Sequence, residues 1–124
     1  MKINVLMFFG FVAGGAASAQ DIDCANAMTQ FDMNQCAALE YQAADEDLNW
    51  TYQMIMDDLK ERNPAMAEAL RDAQRKWIPY RDAACKVEAM QYEGGSMQPL
   101  VHVSCLAGLT RQRDEDIRMA FESN

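Results

Sequence analysis

The sequence predicts an all-α domain, a three-helix antiparallel bundle stapled by two disulfides. Three observations carry that reading. Apolar residues recur at steps of three and four over three long segments, the period of one helix face. Strong punctuation, Asn63-Pro64 and Glu93-Gly94-Gly95-Ser96, separates the segments. Four cysteines, Cys24, Cys36, Cys85 and Cys105, make an even count in a chain small enough to rely on covalent staples.

The amino-terminal residues stand outside this pattern. Lys2 supplies a positive start, Ile3 to Ala13 is a short apolar run, and Ala17-Ser18-Ala19 fits small-residue cleavage before Gln20, so residues 1–19 read as a secretory signal peptide. The run is about half the roughly 20 residues a membrane span needs. Cys24 follows Asp21-Ile22-Asp23, not the small and branched residues of a lipoprotein signal. The expected product is residues 20–124, one periplasmic or secreted helical domain with no membrane insertion after cleavage. Without Lys2 it carries ten Lys and Arg against nineteen Asp and Glu, a net charge of minus nine. Such a surface repels nucleic acid and anionic membranes and speeds encounter with basic partners. No basic patch points to nucleic acid, because Arg111, Arg113 and Arg118 are interleaved with Asp114, Glu115 and Asp116.

The first helix, expected from Asn34 to Arg62, has a stripe of Tyr41, Ala44, Leu48, Tyr52, Ile55 and Leu59, with Glu40, Asp45, Glu46, Asp47, Asp57 and Asp58 on its outer side or edge. Asn63 then suits an N-cap, and Pro64 the first helical position, where its missing N–H costs nothing. The second helix shows Met66, Leu70, Ala73, Trp77, Tyr80, Ala84 and Val87, a seam suited to lengthwise packing on another helix. Pro79 inside it predicts a kink near Arg75 to Pro79 rather than two helices. After the glycine turn, Pro99 can open a third helix with the stripe Val103, Leu106, Thr110, Arg113, Ile117 and Phe121.

The short Asn63-Pro64 connection makes the first two helices antiparallel neighbours, so positions whose numbers sum to about 126 share a height. Asp45 is then level with Arg81, and the glycine turn brings Arg113 near Trp77. A partly buried ion pair of Asp45 with Arg81 or Arg113 is expected. The same heights gather all four cysteines at one end. Four cysteines allow three pairings. Cys24 with Cys36 and Cys85 with Cys105 is favoured because it closes short loops without threading the chain, while Cys36 with Cys85 stays open.

Chemistry is sparse. The one histidine, His102, lies in a helix start without a catalytic motif, and Gly94-Gly95-Ser96 is not a nucleophile elbow, since Gln98 stands where a glycine should. The dense carboxylates Glu40, Asp45 and Asp47 share one outward helix face and do not oppose each other across a cleft as glycosidase carboxyls do. The cysteine spacings do not suit zinc, whose ligands usually come in close pairs. No enzyme activity, cofactor or metal is therefore expected. Eight methionines remain after the signal, and a soft-metal site from Met90, Met97 and His102 is a rival reading; their dispersion favours core and surface packing instead.

Cys24, Met33-Asn34-Gln35-Cys36-Ala37, Tyr41, Ala44-Asp45, Leu48-Asn49, Tyr52, Ala73-Gln74, Trp77, Tyr80-Arg81-Asp82, Cys85, Gly95-Ser96, Cys105, Thr110 and Arg113 form an ordered set. In order and spacing it resembles the LprI-type lysozyme inhibitor family, small exported bacterial domains, over nearly the whole chain from Cys24 to about Phe121. Pro79 is the departure from that pattern. The resemblance implies a periplasmic or cell-surface helical domain that binds and inhibits lysozyme. The signature residues read as architecture: cysteines for staples, Trp77, Tyr52 and Tyr80 for core, and Asp45, Arg81 and Arg113 for polar packing.

Many lysozymes are basic, so a partner of net charge minus nine would be drawn to one. The expected contact is the loop Glu93, Gly94, Gly95 and Ser96 at the stapled end, entering the lysozyme cleft as a preorganised element. The competing reading is an envelope structural or interaction module with an unrelated partner. The oligomeric state is open.

Overall fold

The protein is described by a computed structural model covering residues 22–122. The segment 1–19, read as a signal peptide, lies outside the described residues. A short 3-10 turn, Cys24–Asn26, precedes three helices: α1, Gln30–Arg62; α2, Pro64–Met90; and α3, Gln98–Glu122. There is no strand among the described residues, and no helix there is long and apolar enough to cross a membrane.

Each helix end has a local cause. α1 starts four residues earlier than the periodicity indicates, because Thr29 accepts a hydrogen bond from the Asp32 N–H at 3.0 Å and caps the helix. At its far end, one residue closes α1 and opens α2. The Asn63 N–H donates to the Leu59 carbonyl at 2.7 Å, while its side-chain oxygen accepts from the Met66 N–H at 3.2 Å. Pro64 takes the first position of α2 as expected. α2 then runs as one helix through Pro79, which removes the N–H that Arg75 would otherwise accept.

The chain goes up, down and up, so α1 and α3 run parallel. Of the three helix pairs, theirs has the most extensive contact and that of α1 with α2 the least. The stripes of α1 and α3 are placed as their sequence predicts. Ala44, Leu48 and Leu59 of α1 and Thr110 and Ile117 of α3 are buried, with Tyr41, Tyr52, Ile55, Val103, Leu106 and Phe121 half-buried beside them. At the Asn63 end a compact apolar cluster forms from Met56, Leu59, Ala67 and Leu70, against which Tyr52, Ile55 and Phe121 pack. Towards the other end the buried residues shrink to Cys36, Ala37, Cys85, Ala89 and Ala107.

The seam of α2 is different from the one the periodicity predicts. Its buried line is Ala67, Leu70, Gln74, Arg81, Cys85 and Ala89, whereas Tyr80 and Val87 are each 64% exposed, and Met66 and Ala73 also face solvent. Tyr80 is thus a surface residue and not core. The cause is its neighbour. Arg81, one position and about 100° further round the helix, occupies the inner face, and Cys85, a turn later, must meet Cys105 on α3.

Arg81 is only 8% exposed. Its guanidinium lies 5.6 Å from the Tyr41 ring centre and 5.2 Å from that of Trp77. It donates to the Thr110 hydroxyl at 3.4 Å and to the Asp82 carboxylate at 3.0 and 2.9 Å. Arg113 stacks over Trp77 at 6.0 Å and donates to the Gln74 side-chain oxygen at 3.0 Å. The expected pair with Asp45 does not form: Asp45 accepts from Asn49 on its own helix, at 3.3 Å. A surface carboxylate, Asp82, is the less costly counter-ion, since it stays largely hydrated while neutralising the buried cation. The levels themselves hold, because Tyr41 meets Arg81 and Trp77 meets Arg113.

Most other ion pairs are exposed and lie within one helix, where such pairs contribute little. Arg62 donates to Asp58 and holds its carboxyl below the ordinary value. The contribution of that pair is complete above the ordinary carboxylate pKa and fades as pH falls through the lowered one.

Two substitutions test this account. Arg81→Ala strands the buried Thr110 hydroxyl and removes two ring contacts, so chemical denaturation should show a loss of about 3 kcal/mol. Arg81→Lys, which lacks the planar fork, should recover little of it. Thr51 is 3% exposed and its hydroxyl has no hydrogen-bond partner among the described residues, so Thr51→Val should leave stability unchanged or raise it by about 1 kcal/mol. A clear loss on Thr51→Val would mean the hydroxyl is bonded after all.

Candidate functional site

The two disulfides are Cys24–Cys36 and Cys85–Cys105, the pairing favoured from the sequence, with Cα separations of 5.6 and 5.5 Å. Both sit at the same end of the bundle. Leu100 and Ser104 on the first turns of α3 lie beside Cys24 and Cys36 on one side and beside Cys105 on the other. The second bridge clamps the end of α2 to the start of α3, and between them hangs the connection 91–97.

That connection is short and tied down by its own backbone. The N–H groups of Tyr92, Glu93 and Gly95 donate to the carbonyls of Ala89, Met90 and Tyr92 at 3.0 to 3.2 Å, and that of Gln98 reaches Gly95 at 3.3 Å. Gly94 adopts a φ of +79°, the left-handed region that glycine enters without the penalty a Cβ would bring. Every residue from Gln91 to Met97 is exposed. Glu93 and Ser96 make no side-chain hydrogen bond or ion pair with the described residues. The backbone is fixed while these two polar side chains stay uncommitted, the condition under which a loop binds a partner at low ordering cost.

The loop also divides two grooves that the sequence reading does not contain. On one side, Lys86, Met90, Glu93, Pro99 and His102 line a groove of about 460 Å³. On the other, Tyr92, Met97, Leu100, Val101, Gly108 and Leu109 line one of about 520 Å³. A Cβ on Gly108 would meet nothing within 4 Å, so this glycine is a notch in the wall of the second groove. Tyr92 and Met97 are 45% and 39% exposed. Aromatic and methionine side chains of this kind are enriched at the centres of protein interfaces. Both flank the glycine turn in sequence and could have been found as its apolar shoulders.

Of the rival soft-metal set, Met90 and His102 line the first groove and Met97 the second. Among the described residues no group of three or more His, Cys, Asp or Glu is placed to hold a metal ion. Tyr52, Trp77, Arg81 and Arg113 lie in or beside the core and away from these grooves.

Fold and site together define a small, disulfide-stapled three-helix domain that presents a braced loop between two shallow grooves. The chain belongs to the lysozyme inhibitor LprI family, whose profile matches residues 23–116. It is 38% identical over 117 residues to an uncharacterised protein of Rhizobium meliloti (strain 1021), the match covering 86% of this chain and 84% of that one. The crystal structure of a DUF1311 family protein from Pseudomonas putida KT2440 matches it with a TM-score of 0.69 and 25% identity, over 77% of this chain and 97% of that one.

The bridge at the foot of the loop gives a direct prediction. Replacing Cys85 and Cys105 by serine opens a closure of 20 residues and should lower stability by about 3 kcal/mol. Amide exchange measured at pH 7 should accelerate over 91–97 more than over the Asn63 turn. Equal acceleration at both ends would show that the bridge does not brace the loop locally.

Proposed function

We propose that the domain is exported and that it binds and inhibits a basic lysozyme through its stapled end. The observation that carries this reading is the family match, which spans α1, α2, most of α3 and both disulfides. The chain's charge agrees with it. Nineteen carboxylates against eleven Lys and Arg give an acidic surface that steers a cationic enzyme towards it. Glu93 and Ser96 supply an anion and a hydroxyl for the polar groups of a saccharide cleft, and Tyr92 and Met97 supply apolar contact beside them.

Inhibition here is occlusion and requires no reaction. A loop fixed at both ends pays little entropy on insertion, and the flanking grooves receive side chains from the cleft's rim. Electrostatic attraction acts mainly on the association rate, so affinity should fall as salt rises.

The test is calorimetric binding of the oxidised protein lacking residues 1–19 to a basic lysozyme at two salt concentrations, alongside a turbidity assay of peptidoglycan lysis. The expected result is saturable binding with loss of lysis. Glu93→Ala with Ser96→Ala should weaken binding about tenfold or more without changing the thermal midpoint. Full affinity in that double variant would remove the loop from the contact, and failure to bind any of several lysozyme types would remove the inhibitor reading.

A further inference from the structure

The opposite end of the molecule carries a further concave surface that has no part in the proposal above. It lies between α1 and α3 and has a volume of about 420 Å³. Trp50, Met54, Ile55 and Phe121 line it with apolar surface, and two ion-paired arginines, Arg62 and Arg118, line it together with Asp58 and Glu122. Trp50 is 60% exposed and Met54 55%. The indole is held in place all the same: the Arg118 guanidinium lies 6.0 Å from its ring centre, and Asp114 fixes that guanidinium through hydrogen bonds of 3.1 and 3.2 Å. A large exposed aromatic braced by a salt-bridged arginine is a preformed anchor point.

Carboxylates outnumber cations on the surface around the groove. Relative to Trp50 on α1, Glu46 and Asp47 stand one turn before, and Asp57, Asp58 and Glu61 two and three turns after, all on the same side of the helix. On α3, Glu115 and Glu122 flank Arg118. The cations here are already matched within the fold: Lys60 by Asp57, Arg62 by Asp58, Arg111 by Asp47 and Arg118 by Asp114. Among the described residues, Glu46, Glu61, Glu115 and Glu122 have no cation within ion-pairing distance. The surface is therefore an apolar strip along α1 with uncompensated carboxylates at both ends and on its far wall. Glu46 and Glu61 are about 22 Å apart along the helix at 1.5 Å per residue, the length of four helical turns.

We propose that this groove docks a cationic amphipathic helical peptide. Its apolar face lies on Trp50 and Met54, and its flanking Lys or Arg side chains reach Glu46, Glu61 and Glu122. Helix-in-groove binding reads anchors at helical spacing, and Trp50 and Met54 are such a pair on the receiving side. An anionic lipid surface is repelled by the same carboxylates that attract the peptide. The groove is independent of the loop at Glu93 to Ser96, so one molecule can hold both ligands.

The experiment is titration calorimetry of the oxidised protein lacking residues 1–19 with a synthetic 18-residue Leu/Lys amphipathic helix. Controls are a scrambled peptide of identical composition and the Leu/Glu counterpart. Expected are saturable one-to-one binding of the amphipathic Lys peptide, at least tenfold weaker binding of the scrambled one, and none of the Glu peptide. Trp50→Ala with Met54→Ala should weaken binding at least tenfold with the circular dichroism spectrum intact. Glu46→Gln with Glu61→Gln should weaken it and flatten its salt dependence, while Glu93→Ala with Ser96→Ala should leave it unchanged. Equal binding of the scrambled peptide, or full affinity in the Trp50 and Met54 double variant, would overturn the proposal.

Discussion

The contact on which the bundle depends is the guanidinium of Arg81, because it touches every helix. Tyr41 comes from α1, Trp77 and Asp82 from α2, and Thr110 from α3. A cation 8% exposed is tolerable only when its donors are used and its charge is answered. Two ring faces, a hydroxyl and a carboxylate at the surface do so. The same group sets the rotation of α2, which in turn decides which residues of that helix are left facing outward.

On either side of this layer the molecule is held together differently. The Asn63 end has large apolar side chains, Met56, Leu59 and Leu70, and packs as an ordinary hydrophobic core. The other end has alanines and cysteines, whose burial removes far less apolar area from water. Helices approach closely there, but the gain per residue is small. Two covalent bridges take over where burial is weakest, an arrangement expected in a domain of this size. The consequence for function is that the thin end is also the rigid one, and it is there that the connection between α2 and α3 is exposed.

Much of this was legible in the residues. The stripes of α1 and α3 follow the helical period, the capping role of Asn63 follows from its proline neighbour, and local cysteine pairing follows from the simplest closure. The rotation of α2 was not. Two lines run along that helix one position apart, and the one built from Ala73, Tyr80 and Val87 is the more hydrophobic. The buried one contains Gln74 and Arg81, and its choice rests on contacts with Tyr41, Thr110 and Arg113, distant in sequence. The Asp45 pairing fails for a related reason: a shared height puts two residues on one level without saying which way each points. At the candidate site the glycine turn could be located, but the grooves beside it require residues from two helices at once.

The parallel packing of α1 on α3 has a further bearing. The principal interface joins the first helix of the domain to the last, so α2 covers the α1 stripe only near Asn63 and the rest of it waits for α3. A hairpin of α1 and α2 alone has the least of the three interfaces and leaves Thr110's place beside Arg81 empty. Such contacts, far apart in sequence, are the slow ones to form. As the polypeptide is made from its amino terminus, the largest interface and the layer around Arg81 close only when α3 arrives, and α3 acts as the latch that completes the fold.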